Sequence, residues 1–473
     1  MPAWNWLYTT VAGAILLRLA VAIWSVRVGH PDEIFQYLEQ AHRLVYGYGF
    51  VPWEYRFGLR NWLLPGTLAG LLEMLRLLHV DRPTVYIPVL NSLFAVVSAS
   101  AVFAAYAVGR GLFGEAAGRS AGVLAAIWPA LLSASTAPRP EIMAGYATFG
   151  ALALCMTEAA LRRAIWAGLL LGTAVALRPQ YVIAAAAVWA CTLFRWRRQH
   201  AVALSLSCLA IPLFAGMLDW WFWGTPFVSY FNYYLFNSGY GVSQLFGNEP
   251  VYWYAYRLSL ESLGLFPLAI VYGVIAWKRC WPLLLLVAGV LIPHSLIGHK
   301  ETRFVFLAIL PLLPLMADMF VNGVQWARPL LTAWTGVVVV LGCAYGGVLN
   351  RDDHLTAWLD LSRQTDVKAV LDLTGPAWKS GGYYYLHRDV PVYFSQVLGQ
   401  LPKSDLRLFV SHIIVSEPAA SIPGFRVESI HHDIAVLAQV SPPASYRRLE
   451  TNTREMPVPA IDGRFSPRVR VAF

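Results

Sequence analysis

WNWLYTTVAGAILLRLAVAIW, residues 4–24, followed after a short break by HPDE, residues 30–33, is the stretch whose reading decides the fold. The first part carries one charge, Arg18, in a run long enough to cross a hydrocarbon core, which takes about 20 apolar residues. It has neither a basic leading segment nor a small-residue cleavage site, so it reads as a retained membrane helix and not a signal peptide. The second part opens a polar loop, and Arg18 within the span is expected to snorkel or to pair internally.

Composition places the rest of the chain in the same solvent. It is 57% hydrophobic, 14% aromatic and 13% charged, with a mean hydropathy of +0.51, more apolar surface than a soluble fold of this length hides. Lys and Arg number 36 against 27 Asp and Glu, which in a soluble protein would suggest nucleic acid. Here the basic residues fall in short clusters between apolar runs, so they report topology, and no nucleic-acid partner is expected. The five cysteines lie in or beside apolar segments without a CxxC or Cys/His cluster, which indicates neither a disulfide framework nor a zinc site.

Apolar runs recur near residues 4–26, 84–108, 120–136, 142–160, 165–178, 180–194, 202–220, 262–277, 281–297, 303–321 and 329–347, eleven in all. Basic turns at Arg110 and Arg119, Arg162 and Arg163, Arg195 to Arg198, Lys278 and Arg279, and Arg328 fall at every second connection, and the positive-inside rule makes them cytoplasmic. Counting the run Trp62 to Leu78 as a span would break that alternation. With Pro65, Gly66, Glu73 and Arg76 it suits an amphipathic helix in the interface. The opposite face then collects the loop 27–83, the turns at Arg139 and Arg178, the aromatic stretch 221–260, the turn 299–303 and everything after 348. A cytoplasmic N-terminus puts that face in the periplasm of a bacterial inner membrane, or in the ER lumen of a eukaryote.

The expected architecture is therefore a mainly α, polytopic membrane domain over 1–347, with interfacial helices in the external loop 27–83. A small soluble α/β domain follows over 348–473. Its β-prone runs are Leu406 to Val415 and Phe425 to Val440, and from Pro442 the chain reads as an extended tail.

Within the first loop, Asp32 and Glu33 open a helical pattern with Phe35, Leu38 and Ala41 on one face. Read alone, they fit an N-cap and a solvated first turn. A second cluster, Trp53-Glu54-Tyr55-Arg56 with Arg60, turns the loop toward a site, because paired charge gathered at a membrane surface marks function. His299-Lys300-Glu301-Thr302-Arg303 sets four ionisable side chains between two apolar runs. It reads either as a salt-bridged turn or as a cationic cradle for a phosphate. The stretch from Asp219 through Trp220, Asn232 and Tyr233 to Trp253 reads as an aromatic belt or as a sugar platform of ring faces and amide donors. Arg139, Glu141 and Arg178 stand at span ends on the same side, as does His30 before the acidic pair.

Taken together, HPDE with WEYR and a following Arg, DWWFWGTP leading to FNYY and SQLFGNEPVYWY, and HKETRF resemble the signature of the glycosyltransferase family 22 mannosyltransferases, in order and approximate spacing. The resemblance covers the membrane part, and the first loop is most similar to that of the type that adds the third mannose of the GPI anchor. It implies the GT-C fold. It also implies transfer of mannose, or a related hexose, from a polyprenyl or dolichyl phosphate to a glycolipid acceptor on the external face. On the matching positions, Asp32 takes the place of the catalytic acidic residue and Glu33, Glu54, Arg56 and Arg60 those of its companions. His299, Lys300, Glu301 and Arg303 take those of the HKExRF turn. The chain departs at Asn61 and Trp220, where Ser is usual, and this leaves the acceptor open.

Elementary chemistry gives the same roles a reason. A lipid phosphate leaves readily once its charge is neutralised, so one base and no general acid are needed, in contrast to the paired carboxylates of glycosidases. Asp32 would take the proton of the acceptor hydroxyl, supported by Glu33, while His299, Lys300, Glu301, Arg303 and Arg60 would attend the donor phosphate. His30, Glu54, Arg56, Arg139, Glu141, Arg178, Asp219, Asn232 and Trp253 would bind substrate. A single displacement inverts the anomeric centre. No cofactor is expected beyond the lipid-phosphate sugar itself, with metal dependence left open; no nucleotide-sugar site is needed, and the external loops hold no DxD-like metal-binding motif. The partners are the lipid-linked donor, the glycolipid acceptor and membrane lipids. The rival readings are a lipid-linked sugar flippase, against which the lack of repeated halves counts, and a different GT-C transferase.

Overall fold

The computed structural model describes residues 3–395, 403–416, 422–448 and 454–456. They form two compact units, and the division differs from a single cut near residue 348. One unit comprises residues 1–23, 61–63 and 91–349; the other joins 24–60 and 64–90 to the residues from 350 on.

Each of the eleven apolar runs is helical over most of its length. Among the described residues five helices are long and apolar enough to cross a membrane: Asn5–Trp24, Pro83–Phe113, Arg198–Trp223, Thr302–Gly323 and Gln325–Tyr345. The pair Trp253–Glu261 and Leu265–Ile275, bent by 110°, makes a sixth if taken as one span. Other runs lie in shorter helices such as Pro140–Cys155 and Leu161–Leu177. Thr302–Gly323 is the centre of the first unit, with 89% of its apolar window buried, whereas Arg198–Trp223 buries 22% of its own. The core is rich in alanine. Small residues let helices approach where no hydrophobic effect drives them together. Gly168 and Gly172 face the helix Arg198–Trp223 so closely that an added Cβ would lie 2.3 Å from the Leu204 carbonyl oxygen and 2.4 Å from that of Cys208.

Arg18 is fully buried. The helix Glu115–Ile127 stops at Trp128 because Pro129, the first residue of the next short helix, has no N–H to offer. That leaves the Ala125 and Ala126 carbonyls unpaired at membrane depth, a cost of several kcal/mol each if nothing satisfied them. Arg18 Nη2 donates to Ala125 O at 2.9 Å and Nη1 to Ala126 O at 3.0 Å. The expectation of internal pairing holds; snorkelling does not occur.

The second unit holds the helix Leu63–Leu77 and a five-stranded sheet. That helix buries Leu64, Leu68, Leu72 and Leu75 along one side, and its 15 residues reach only about 22 Å, short of a span. The sheet runs β2-β1-β3-β5-β4, with β1 (Val370–Asp372), β2 (Val392–Phe394), β3 (His412–Val415), β4 (Phe425–His431) and β5 (Ile434–Gln439). β1 pairs parallel with β2 and β3, whereas β5 runs antiparallel to β3 and β4. The three parallel strands are buried throughout, as a sheet covered on both faces requires. The β-prone run from Leu406 is corrected in its first part: Lys403–Leu408 is a 3-10 turn and only His412–Val415 is strand. Most of the tail from Pro442 lies outside the described residues.

Candidate functional site

In the loop-bearing unit the acidic motif is built on an irregular helix. Glu33–Leu38 is a π-helix continued by the α-helix Glu39–Tyr46. The wider π register is a device that occurs at functional positions. Residues 33–42 are all buried, so the one-sided pattern expected from Phe35, Leu38 and Ala41 is replaced by burial all round.

Asp32 precedes that helix with αR backbone angles, and its side chain makes no capping hydrogen bond. The capping reading of Asp32 is thereby corrected. Its amide donates to His30 Nδ1 at 3.2 Å, and its carboxylate, about a quarter exposed, lies 3.4 Å from the same nitrogen. Glu33 is buried, and its Oε2 accepts the Gly29 amide at 3.4 Å.

Glu54 opens the cluster's second side from the one-turn helix Trp53–Arg56. Gln36 Nε2 donates to its Oε1 at 2.7 Å, and Arg60 Nη2 lies 4.0 Å from the same oxygen. Burial pushes the Glu54 carboxyl up to about 7; Asp32 adds to the rise, and Arg60 opposes it. Arg56 turns elsewhere, toward Glu455 at 3.3 Å, with both side chains more than a third exposed.

The first unit gathers its charge around Glu141, which follows Arg139 and Pro140 at the start of Pro140–Cys155. Arg178 Nη2 reaches Glu141 Oε2 at 2.9 Å and Arg303 Nη1 reaches Oε1 at 3.3 Å. Arg303 also grips Glu301 with its fork, Nε to Oε2 at 2.6 Å and Nη2 to Oε1 at 3.0 Å, and His299 Nε2 meets Glu301 Oε1 at 2.9 Å. Phe304 takes both guanidinium groups against its ring, at 5.4 Å for Arg178 and 5.2 Å for Arg303. Tyr233 OH lies 3.2 Å from Gln180 Nε2 and 3.5 Å from Arg178 Nη1.

Several expected site residues have structural duties. Lys300 is buried and donates to the backbone oxygens of Ile297 and Glu249, so its ammonium holds the turn together. Asp219, completely buried, accepts Asn61 Nδ2 at 2.6 Å, Ser229 N at 2.9 Å and Ser229 Oγ at 2.6 Å. It clamps the end of Arg198–Trp223 to the helix Val228–Tyr234 and to the residue after Arg60. Asn61, which departs from the family pattern, is therefore the partner of Asp219, a pairing that sequence reasoning missed. The aromatic stretch 221–260 is largely helical rather than loop. Asn232 and Trp253 are half-buried in it, and the Trp253 ring lies under Arg257 at 5.7 Å. Among the described residues no group of three His, Cys, Asp or Glu side chains is arranged to hold a metal ion.

The profile of the Alg9-like mannosyltransferase family matches residues 6–350 of the chain. GPI mannosyltransferase 3 of Yarrowia lipolytica is 26% identical over 402 residues, which cover 82% of this chain and 76% of that protein. GPI alpha-1,2-mannosyltransferase 3 of Homo sapiens is 26% identical over 384 residues, 77% of this chain and 68% of that one. Among solved structures, ArnT from Cupriavidus metallidurans in the apo state superposes with a TM-score of 0.57 at 11% identity, covering 93% of this chain and 99% of that chain. The same protein bound to undecaprenyl phosphate gives 0.56 at 11% identity, covering 92% and 98%. At that identity the likeness establishes the fold alone, the multi-span GT-C architecture.

Proposed function

The chain belongs to the Alg9-like mannosyltransferase family, a membrane hexosyltransferase, and from that premise we propose that Asp32 is its catalytic base. The reaction moves mannose, or a related hexose, from a polyprenyl-phosphate-linked donor to a hydroxyl of a glycolipid acceptor. Asp32 removes the hydroxyl proton as the oxygen attacks the anomeric carbon, the bond to the lipid phosphate breaks with its electrons on the phosphate, and the configuration inverts. The single observation that carries the choice is the contrast between carboxylates of one loop: Glu33 and Glu54 are buried, whereas the Asp32 side chain stays about a quarter exposed.

Glu33 supports the loop through the Gly29 amide. Glu54 and Arg60 set the field around Asp32. Within the membrane unit, Arg139, Arg178 and Arg303 gather about Glu141 and are the groups whose charge suits a lipid phosphate. The site works on the external face, periplasmic in a bacterium and lumenal in a eukaryote, because the basic turns belong to the other side. The relatives named GPI mannosyltransferases support a glycolipid acceptor.

The test is mannose transfer by the purified chain from polyprenyl-phosphate mannose to octyl α-mannoside, wild type against Asp32→Asn. We expect a loss on the order of 1,000-fold or more in kcat, with donor binding retained. Full activity in Asp32→Asn would remove the proposed base. Lipid movement without transfer by the wild type would favour a flippase.

A further inference from the structure

The acidic loop contains another buried carboxylate that the reaction above does not use. Glu39 opens the helix Glu39–Tyr46 and is completely buried. Its oxygens accept three backbone amides: Phe50 N to Oε1 at 2.7 Å, Tyr383 N to Oε1 at 3.1 Å and Tyr384 N to Oε2 at 2.8 Å. Two of these come from the turn Gly382–Leu386, far along the chain. Gly382 sits at φ +64°, and a Cβ there would lie 2.7 Å from Glu39 Oε2. Only a glycine lets that backbone come so close.

Neighbouring contacts fasten the same two segments. Gln40 Nε2 donates to the carbonyl oxygens of Phe35 and Phe50, at 2.8 and 2.9 Å. The Phe50 ring packs on Tyr383 at 5.0 Å, and the Tyr86 hydroxyl donates to the Tyr384 carbonyl. From the helix Asp353–Arg363, His354 holds the approach to the turn, with Nδ1 on the Lys379 carbonyl at 3.1 Å and Nε2 on the β1 residue Asp372 at 2.8 Å. A buried carboxylate without donors is strongly destabilising, so the three amides that satisfy Glu39 also fix where its helix can sit. That helix continues directly from the π-helix that Asp32 precedes.

We propose that Glu39 is a positioning residue for the transfer reaction: it locks the helix bearing Asp32 onto the Gly382–Leu386 turn, so the C-terminal α/β residues serve catalysis by fixing the acidic loop. The proposal rests on Asp32 as the base. It gives the C-terminal residues a role that does not require them to touch substrate.

The experiment uses the purified full chain and three variants, Glu39→Gln, Glu39→Asp and Gly382→Ala, with two readouts. The first is kcat and donor KM for mannose transfer from polyprenyl-phosphate mannose to octyl α-mannoside. The second is amide hydrogen exchange over residues 33–38 and at Phe50. In Glu39→Gln an NH₂ group faces backbone donors, and we expect kcat to fall on the order of 10- to 100-fold with donor KM within about twofold. Exchange over 33–38 should rise by at least about tenfold while the membrane helices stay unchanged. Glu39→Asp keeps a carboxylate and should regain part of kcat; Gly382→Ala should act in the same direction as Glu39→Gln, more weakly.

Wild-type exchange over 33–38 in Glu39→Gln, or equal loss of kcat in Gln and Asp variants, overturns the proposal. If Glu39→Gln does not survive purification, Gly382→Ala decides alone, because it displaces the carboxylate without altering it. A wild type that transfers no mannose overturns the transfer reading instead, while the exchange data still judge the docking by Glu39.

Discussion

Arg18 donates to the Ala125 carbonyl at 2.9 Å, taking the place of the amide that Pro129 lacks. A membrane-buried charge is here the cap of a broken helix, and the helix C-terminus, with its partial negative charge, is where a cation is most favourable. Arg18→Met keeps the length and removes the donors. It should lower stability by about 2–5 kcal/mol, read as the midpoint of thermal unfolding in detergent. Arg18→Lys, with one charged head for two carbonyls, should fall between the two.

The contact of Gly168 and Gly172 with the Arg198–Trp223 helix leaves no room for a side chain. Gly172→Leu should force the two helices apart and cost about 1–3 kcal/mol or more, with loss of monodisperse protein on size exclusion. Gly70→Leu, where an added Cβ meets nothing within 4 Å, is the matched control and should be tolerated.

How much of this was legible in the sequence varies by element, for physical reasons. The spans were, because apolar runs and basic turns carry their own signal, and so were the acidic loop and the HKETRF turn as places of interest. The GLLLG spacing that closes Gly168 on Cys208 was present but unread. The convergence of Glu141, Arg178 and Arg303 was not legible, since each stands at the end of a different helix and only packing decides which ends meet. Asp219 looked like a ligand group because its partners, Asn61 and Ser229, are separated from it by loops whose course no local pattern reports. Glu39 gave no sign at all, because the groups that hold it are backbone amides and any sequence has those.

Burial raises the Glu54 carboxyl to about 7 from an ordinary value of 4.5. The folded state therefore binds a proton more tightly than the unfolded chain. The stability linked to this group is fully present below about 4.5 and is lost as pH rises through about 7, by up to about 3 kcal/mol. Glu54→Gln should unfold at a higher temperature than the wild type at pH 8 and show little or no gain at pH 5. A gain that does not depend on pH would mean that Glu54 stays ionised throughout.

Asp219 satisfies three donors with two oxygens. Asp219→Ala should cost about 2–4 kcal/mol by orphaning them, and what remains folded should bind donor with an unchanged KM. A substrate-binding role predicts the reverse, a raised KM in a protein of near wild-type stability. Asn61→Ser, which shortens one donor, should give a smaller loss of the same kind.

Lys300 and Arg303 sit three residues apart in one turn, yet their surroundings assign them different work. Lys300 is spent on two backbone oxygens, whereas Arg303 spreads a planar fork over Glu301 and Glu141 and lies on Phe304. Lysine cannot reproduce that fork or the stacking, so Arg303→Lys should lower kcat/KM for the lipid donor on the order of tenfold or more while unfolding near the wild-type temperature. Lys300→Met should do the opposite: the turn loses its tie, stability drops by about 1–3 kcal/mol, and donor KM in the folded fraction holds. Measuring both variants for unfolding and for transfer separates the roles. Equal losses of donor affinity in both would return Lys300 to the phosphate and leave its carbonyl contacts as an arrangement that the bound donor rearranges.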